Sequence, residues 1–150
     1  MTGFLSAAGL TLGAIVVTPG LPLEHRTQVA HESGMVEVHY TGTVELAPIQ
    51  RGAPAPGGLA STLHCEWRAR MNVDRQARHA EGGLLARSID NAEGLTLSRP
   101  GWCHSHRAAV EQQLAGRSAE LQQRLLAIVE QDRPVLLAQV DRQQGQRTAG

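Results

Sequence analysis

The chain has 150 residues, with 14 acidic and 14 basic side chains, and every basic residue is an arginine. The absence of lysine excludes a Walker A nucleotide loop, a pyridoxal phosphate enzyme, a protein kinase and a lysine-dependent acyl enzyme. A formal net charge of +0 with two Trp, one Tyr and one Phe also argues against a nucleic-acid binder, which needs surplus positive charge and stacking rings. The length fits one domain, and no cofactor is predicted.

The N-terminal segment is apolar and uncharged from Gly3 to Leu23. Its centre, residues 4–17, has the length of the hydrophobic region of a secretory signal peptide, although no basic residue precedes it. The segment is also barely long enough to span a membrane. We therefore expect residues 1–23 to be a signal peptide or a membrane anchor, and the protein to be exported to the periplasm or anchored facing it. The alternative is a buried hairpin or helix of the folded domain, which otherwise occupies residues 24–150.

Two long segments alternate between apolar and polar side chains. In residues 36–46 the even positions are apolar or glycine, and in residues 63–73 the odd positions are apolar. This period of two predicts strands with one buried and one solvated face. A loop rich in proline and glycine, residues 47–60, separates them, so we expect antiparallel neighbours that share a buried face.

The next part of the chain predicts two shorter strands. Residues 75–83 are polar and end in Gly82-Gly83, which is typical of a turn. Residues 84–89 and 95–98 then read as a hairpin around a tight turn at 90–94. Together these segments predict a meander of about four strands within residues 35–98.

The period changes to that of a helix after the strands. Residues 105–131 are predicted to be an amphipathic helix with Ser105 as its N-cap, and its apolar stripe consists of Val110, Leu114, Leu121, Leu125 and Ile128. Asp132, shortly before Pro134, marks either a kink or the N-cap of a second helix over 133–144. The predicted fold is α+β, an antiparallel sheet covered by the C-terminal helix. Pairing of that helix with a second copy in a homodimer is the alternative use of the stripe.

The two cysteines are predicted to form a disulfide. Cys65 lies on the buried side of the second long strand, and Cys103 precedes the helix. In an exported protein an even number of cysteines favours a disulfide, which here would tie the helix to the sheet. Trp67 and Trp102 are expected to pack around it as part of the core.

A metal site and a catalytic nucleophile are the enzymatic alternatives. Thiols and imidazoles are the ligand types that zinc prefers, and the chain offers them at His64, Cys65, Cys103, His104 and His106. These residues lack the paired spacing of a zinc site. A Cys103–His104 nucleophile pair has no recognisable signature, and there is no G-x-S-x-G for serine chemistry. The segment 31–35 begins like H-E-x-x-H and lacks the second histidine. No metal ligand or catalytic residue is predicted.

The hypothesis that remains is a non-enzymatic binding or structural module. Its contact surface is expected on the solvated strand face, at His39, Arg68 and Arg70. The expected partner is a protein or another component of the cell envelope. Nucleic acid is not expected, and contact with a membrane is expected only through the N-terminal segment.

One short segment resembles a known enzyme family. Residues 38–43, Val-His-Tyr-Thr-Gly-Thr, are similar to a strand of FKBP-type peptidyl-prolyl isomerases. The resemblance covers these six residues and implies that Tyr40 lines a pocket for a prolyl ring. It makes prolyl isomerisation the alternative function, beside a metal-dependent reaction.

Overall fold

The computed structural model describes residues 15–16 and 23–149, without the side chains of 15–16 and 91–93. It contains five strands, one short 3-10 turn and two helices. They are β1 (Ile15–Val16), β2 (Leu23–His31), β3 (Gly34–Arg51), β4 (His64–His79), β5 (Leu84–Pro100), the turn Cys103–Ser105, α1 (Arg107–Ala115) and α2 (Ser118–Thr148). Apart from Ile15, Val16 and Leu23, the predicted signal peptide or anchor, residues 1–23, lies outside the described residues. No helix in the described part of the chain is long and apolar enough to cross a membrane.

The strands form one antiparallel sheet. Strands β2, β3, β4 and β5 are neighbours in that order, and β1 pairs with β3 beyond the end of β2, where Ile15 lies opposite Leu46. The two helices cover one face of this sheet. The predicted α+β fold, an antiparallel sheet packed against a C-terminal helix, is confirmed.

The core lies between the sheet and the helices and is mostly aliphatic. The alternation predicted for the two long strands is confirmed, because its apolar positions are buried and face the helices. The buried residues of these strands and of the predicted helical stripe include Val36, Val38, Val44, Leu46, Cys65, Trp67, Ala69, Met71, Val73, Val110, Leu114, Leu121, Leu125 and Ile128. The helical stripe therefore packs on the sheet of its own chain.

The predicted hairpin within residues 84–98 is wrong, because β5 is a single strand. Ala69 of β4 pairs with Leu95 and Met71 pairs with Asn91, so two steps along β4 correspond to four along β5. The extra residues form a bulge. Gly94 lies in this bulge, where a Cβ atom would collide with the carbonyl oxygen of Ala69. The turn-forming residues at 90–94 therefore form a bulge in β5 and do not reverse the direction of the chain.

Two strand boundaries also differ from the prediction. Residues 23–31, placed before the first predicted strand, form β2 and pair with β3 along their whole length. The polar segment 75–83 is strand as far as His79, and both Arg75 and His79 are buried. Polar side chains at inward positions conceal this end of β4, because Arg75 and His79 interrupt the series of apolar residues that reaches Val73.

The helical part breaks within the predicted helix 105–131, and residues 133–144 continue the same helix and do not form a second one. Ser105 lies in the 3-10 turn and caps nothing, and α1 ends before Gly116. Helix α2 then continues through Asp132 and Pro134 without interruption. A proline costs about 3 kcal/mol inside a helix. The stripe buried on both sides of it offsets that cost, and consists of Leu121, Leu125, Ile128, Val129, Leu136 and Val140.

The predicted disulfide is present. Cys65 of β4 and Cys103 of the 3-10 turn are bonded, with their Cα atoms 4.8 Å apart. Gln50 supports the same connection, since its side chain accepts a hydrogen bond from the Cys103 backbone N–H at 2.9 Å. Trp67 is buried as expected, but Trp102 is 48% exposed beside His104, because it lies in the turn and outside the core.

Candidate functional site

The face of the sheet that is turned away from the helices carries the predicted contact residues. It contains a cleft of about 440 Å³, lined by side chains from all four long strands. The residues lining it include Arg26 and Gln28 of β2, Glu37 and His39 of β3, Gln76 and Arg78 of β4, and Leu84 of β5. The cleft therefore lies across the sheet, and the strand register determines which side chains meet in it.

His39 lies in the middle of this cleft. Arg26 is opposite it on β2 and Gln76 is opposite it on β4. The His39 Nε2 atom is buried without a hydrogen-bond partner, and its nearest acidic neighbour, a Glu24 carboxylate oxygen, is 3.7 Å away. His39 is therefore a half-buried residue at the floor of the cleft, and its Nε2 atom is covered by its neighbours.

The two arginines of the cleft have no ion-pair partner in the described part of the chain. Arg78 lies opposite Glu37 in the register, but the two side chains do not form an ion pair. Two guanidinium groups and one carboxylate thus face the same space, and the balance is positive. Unpaired guanidinium groups recognise carboxylates and phosphates through paired N–H donors.

Arg68 and Arg70 occupy a second hollow, of about 550 Å³. Arg68 is engaged there, because its Nε donates to the Glu66 carboxylate at 2.9 Å, and this hydrogen bond lowers the pKa of the Glu66 carboxyl group. Arg70 is opposite Glu45, six residues along β3 from His39, which corresponds to about 20 Å. The three predicted contact residues share one face of the sheet but belong to two separate hollows.

The opposite face of the sheet holds a polar row that was not predicted. His25, Tyr40, Arg75 and Arg87 lie next to one another in register across the four long strands. Asp132 of α2 meets this row and is 3% exposed. Its carboxylate accepts hydrogen bonds from Tyr40 Oη at 3.0 Å, Arg75 Nη1 at 2.7 Å and Arg87 Nη1 at 2.5 Å. Arg75 also donates to Gln139. We call these groups the Asp132 cluster.

Tyr40 does not have the role that the FKBP resemblance implies. Its side chain is 1% exposed and lies beneath the helices, and its hydroxyl donates a hydrogen bond to Asp132. A prolyl ring cannot reach it without displacing α2. Tyr40 is therefore a structural residue of the Asp132 cluster.

The titration of Tyr40 is the first testable consequence of this cluster. Burial and the charge of Asp132 raise its pKa well above the ordinary value of about 10. Since Tyr40 is the chain's one tyrosine, the tyrosinate absorbance band reports it alone. We expect the folded protein to show no tyrosinate at pH 10–11, and the chain in denaturant to titrate near pH 10.

The same shift makes stability depend on alkaline pH. The folded state holds the phenol proton more tightly, so its contribution to stability is complete below pH 10 and is lost as the pH rises above that value. A Tyr40→Phe variant, which lacks the band, is the spectroscopic control. A native titration near pH 10 would show that the hydroxyl is not held as described.

The histidines and cysteines considered as zinc ligands have other partners. Both thiols form the disulfide, and His106 Nε2 bonds to the carbonyl oxygen of Pro100 at 2.7 Å. Over residues 15–16 and 23–149 no cluster of three or more metal-ligating side chains occurs.

Several residues of these sites carried a signal in the sequence. Arg75 and His79 continue the odd-numbered series of buried positions that begins at Leu63, just before β4. Asp132 falls on the buried stripe of α2 between Ile128 and Leu136. The pattern of positions was thus a signal for these residues, but their polarity does not fit a purely apolar core and they were not predicted to be buried.

Comparison of the chain with protein-family models, with curated proteins and with solved structures finds no match.

Proposed function

We propose that this protein is an exported binding module, stabilised by one disulfide, whose solvated sheet face binds an anionic group of an envelope component. The observation that carries this proposal is the cleft in which Arg26 and Arg78 have no ion-pair partner within the described residues. The proposed function is binding, and no chemical step is assigned to the cleft.

The cleft suits a carboxylate or a phosphate for electrostatic reasons. Two guanidinium groups on opposite sides of His39 can each donate two N–H groups to one anion. The net charge of the chain is zero, so attraction of the ligand depends on these local charges and not on the protein as a whole. Leu84 adds an apolar wall at one side, which favours a ligand with an apolar part next to its anionic group.

Binding of inorganic phosphate, followed by amide chemical shifts, is the test of the cleft. We expect the largest shifts on β2, β3 and β4 next to Arg26, His39 and Arg78. Changing both arginines to glutamine should weaken binding at least tenfold, because the charge-assisted hydrogen bonds are lost. The matched control changes Arg68 and Arg70 to glutamine in the second hollow and should leave binding within a factor of two. Equal losses in both double variants, or no shifts in the cleft, would contradict the proposal.

Export is the second part of the proposal. Its support is the Cys65–Cys103 disulfide, since disulfides persist in oxidising compartments. Mass measurement of the protein isolated from its own cells without reductant should show the oxidised pair. The measured mass should also show loss of the N-terminal segment. If the full chain is kept, cell fractionation should place it with the membranes. A full-length protein with two free thiols in the cytosolic fraction would contradict export.

A further inference from the structure

A second polar cluster lies at the end of the sheet, away from the cleft and from the Asp132 cluster. It joins the β2–β3 turn, the last residue of β4 and helix α2. His31 Nε2 is 2.7 Å from the Asp141 carboxylate, His31 Nδ1 is 2.7 Å from Ser33 Oγ, and Ser33 Oγ is 2.9 Å from His79 Nε2. The order of contacts is therefore Asp141, His31, Ser33, His79.

Backbone donors determine where the hydrogen atoms of this chain of contacts lie. The Ser33 N–H donates to His31 Nδ1 at 3.1 Å, and the Glu81 N–H donates to His79 Nδ1 at 3.2 Å. A nitrogen that accepts carries no hydrogen, so each imidazole has its hydrogen on Nε2. His79 must then donate to Ser33 Oγ, Ser33 must donate to His31, and His31 must donate to Asp141. Each contact of the chain thus has one donor and one acceptor, and the single lone pair of His31 Nδ1 is shared between the O–H and the N–H of Ser33.

This arrangement is the one that activates a serine hydroxyl. A base accepts the hydroxyl proton, and a carboxylate on the far side of the base stabilises the imidazolium that forms. In addition, His79 Nε2 donates to Ser33 Oγ at 2.9 Å, so the hydroxyl is held with its hydrogen directed at His31. His79 is 2% exposed and the His31 side chain is 11% exposed, so both rings are held in place by packing.

We propose that Ser33 is a nucleophile that takes an acyl group from a small ester. Ser33 Oγ attacks the carbonyl carbon, its proton passes to His31 Nδ1, and a C–O bond to Ser33 forms. The bond to the leaving alkoxide breaks, and His31 returns the proton to that oxygen, which leaves as an alcohol. Water then adds to the acyl-serine by the same proton transfers, releases the acid and restores Ser33.

The position of Ser33 limits the substrate. It lies in the two-residue turn between β2 and β3, where it is partly exposed next to the exposed Glu32. It lines neither the cleft nor the second hollow. A small ester can approach such a turn from solvent, so this activity is independent of the proposed ligand of the cleft.

Covalent labelling tests the proposal directly. The full chain is treated with diisopropyl fluorophosphate, the modified peptide is located by mass spectrometry, and hydrolysis of p-nitrophenyl acetate is measured in parallel. We expect the label on Ser33, and Ser33→Ala should lose both the label and the hydrolysis. The matched control is Ser88→Ala, because Ser88 Oγ donates to the Asp74 carboxylate at 2.8 Å with no histidine beside it. This variant should react like the original protein.

The roles of His31 and Asp141 are tested separately. His31→Gln should slow labelling about 100-fold, since general-base assistance is typically worth at least that much. Asp141 is a positioning residue and its side chain is 69% exposed, so Asp141→Asn is expected to fold normally. It should slow labelling at least tenfold, and Asp141→Glu should restore most of the rate. Absence of label on Ser33 in the folded original protein, or a rate unchanged in Asp141→Asn, would overturn the proposal.

Discussion

Replacing Asp132 with alanine is expected to lower the free energy of unfolding by about 3–5 kcal/mol. The carboxylate is buried and accepts hydrogen bonds from Tyr40, Arg75 and Arg87. The Arg75 side chain is fully buried, at 0% exposure, so the variant would leave a guanidinium charge in the core without its counter-ion. Chemical denaturation followed by circular dichroism measures the loss.

Two further variants separate the charge effect from lost packing. Changing Arg75 to methionine together with Asp132 to leucine removes both buried charges, and this double variant should recover most of the lost stability. Glu130→Gln removes an exposed carboxylate two residues away on the same helix, and it should change stability by no more than about 0.5 kcal/mol. If Asp132→Ala were as stable as the original protein, the cluster would not hold the helix on the sheet.

Reduction of the disulfide is expected to lower the free energy of unfolding by about 4 kcal/mol. The bond closes a loop of 38 sequence positions and holds the start of the helical part against β4. Removing it increases the freedom of the unfolded chain, which accounts for this figure in the chain-entropy model. Denaturant unfolding with and without a thiol reductant measures the difference.

A double variant provides the control for the reductant. Cys65→Ala with Cys103→Ser should be about as stable as the reduced protein, and its stability should not change with the reductant. A small difference is expected from the packing lost at the buried Cys65. An original protein that unfolds at the same denaturant concentration in both conditions would contradict a stabilising role for this bond.

Much of the fold was predictable because its signals are local. Apolar residues at every second position place the inward faces of β3 and β4, and the stripe Leu121, Leu125 and Ile128 places the buried side of α2. The disulfide followed from the same pattern, since Cys65 occupies an inward position. These features need only the period of a strand or a helix and the position of a residue within it.

The errors arose where polar or turn-forming residues are used for another purpose. Arg75 and His79 are polar residues typical of a strand end, but each has a hydrogen-bond partner inside the protein. Residues 90–94 look like a turn, but β4 continues alongside them and the chain forms a bulge. Pro134 looks like the end of a helix, but the burial on both sides of it keeps α2 continuous. In each case long-range packing outweighs the local preference.

The candidate sites depend even more on the tertiary structure. Arg26, His39 and Arg78 come from three strands, and only the register of those strands brings them into one cleft. His31 and Ser33 are close in sequence, but Asp141 reaches His31 from helix α2, 110 positions along the chain.

The sequence by itself therefore determined the fold class, the disulfide and the main buried faces, because alternation, helical period and cysteine position are properties of short segments. The tertiary structure alone decided which charged side chains meet. Those encounters depend on strand register and on the rotation of α2, which result from packing of the whole core.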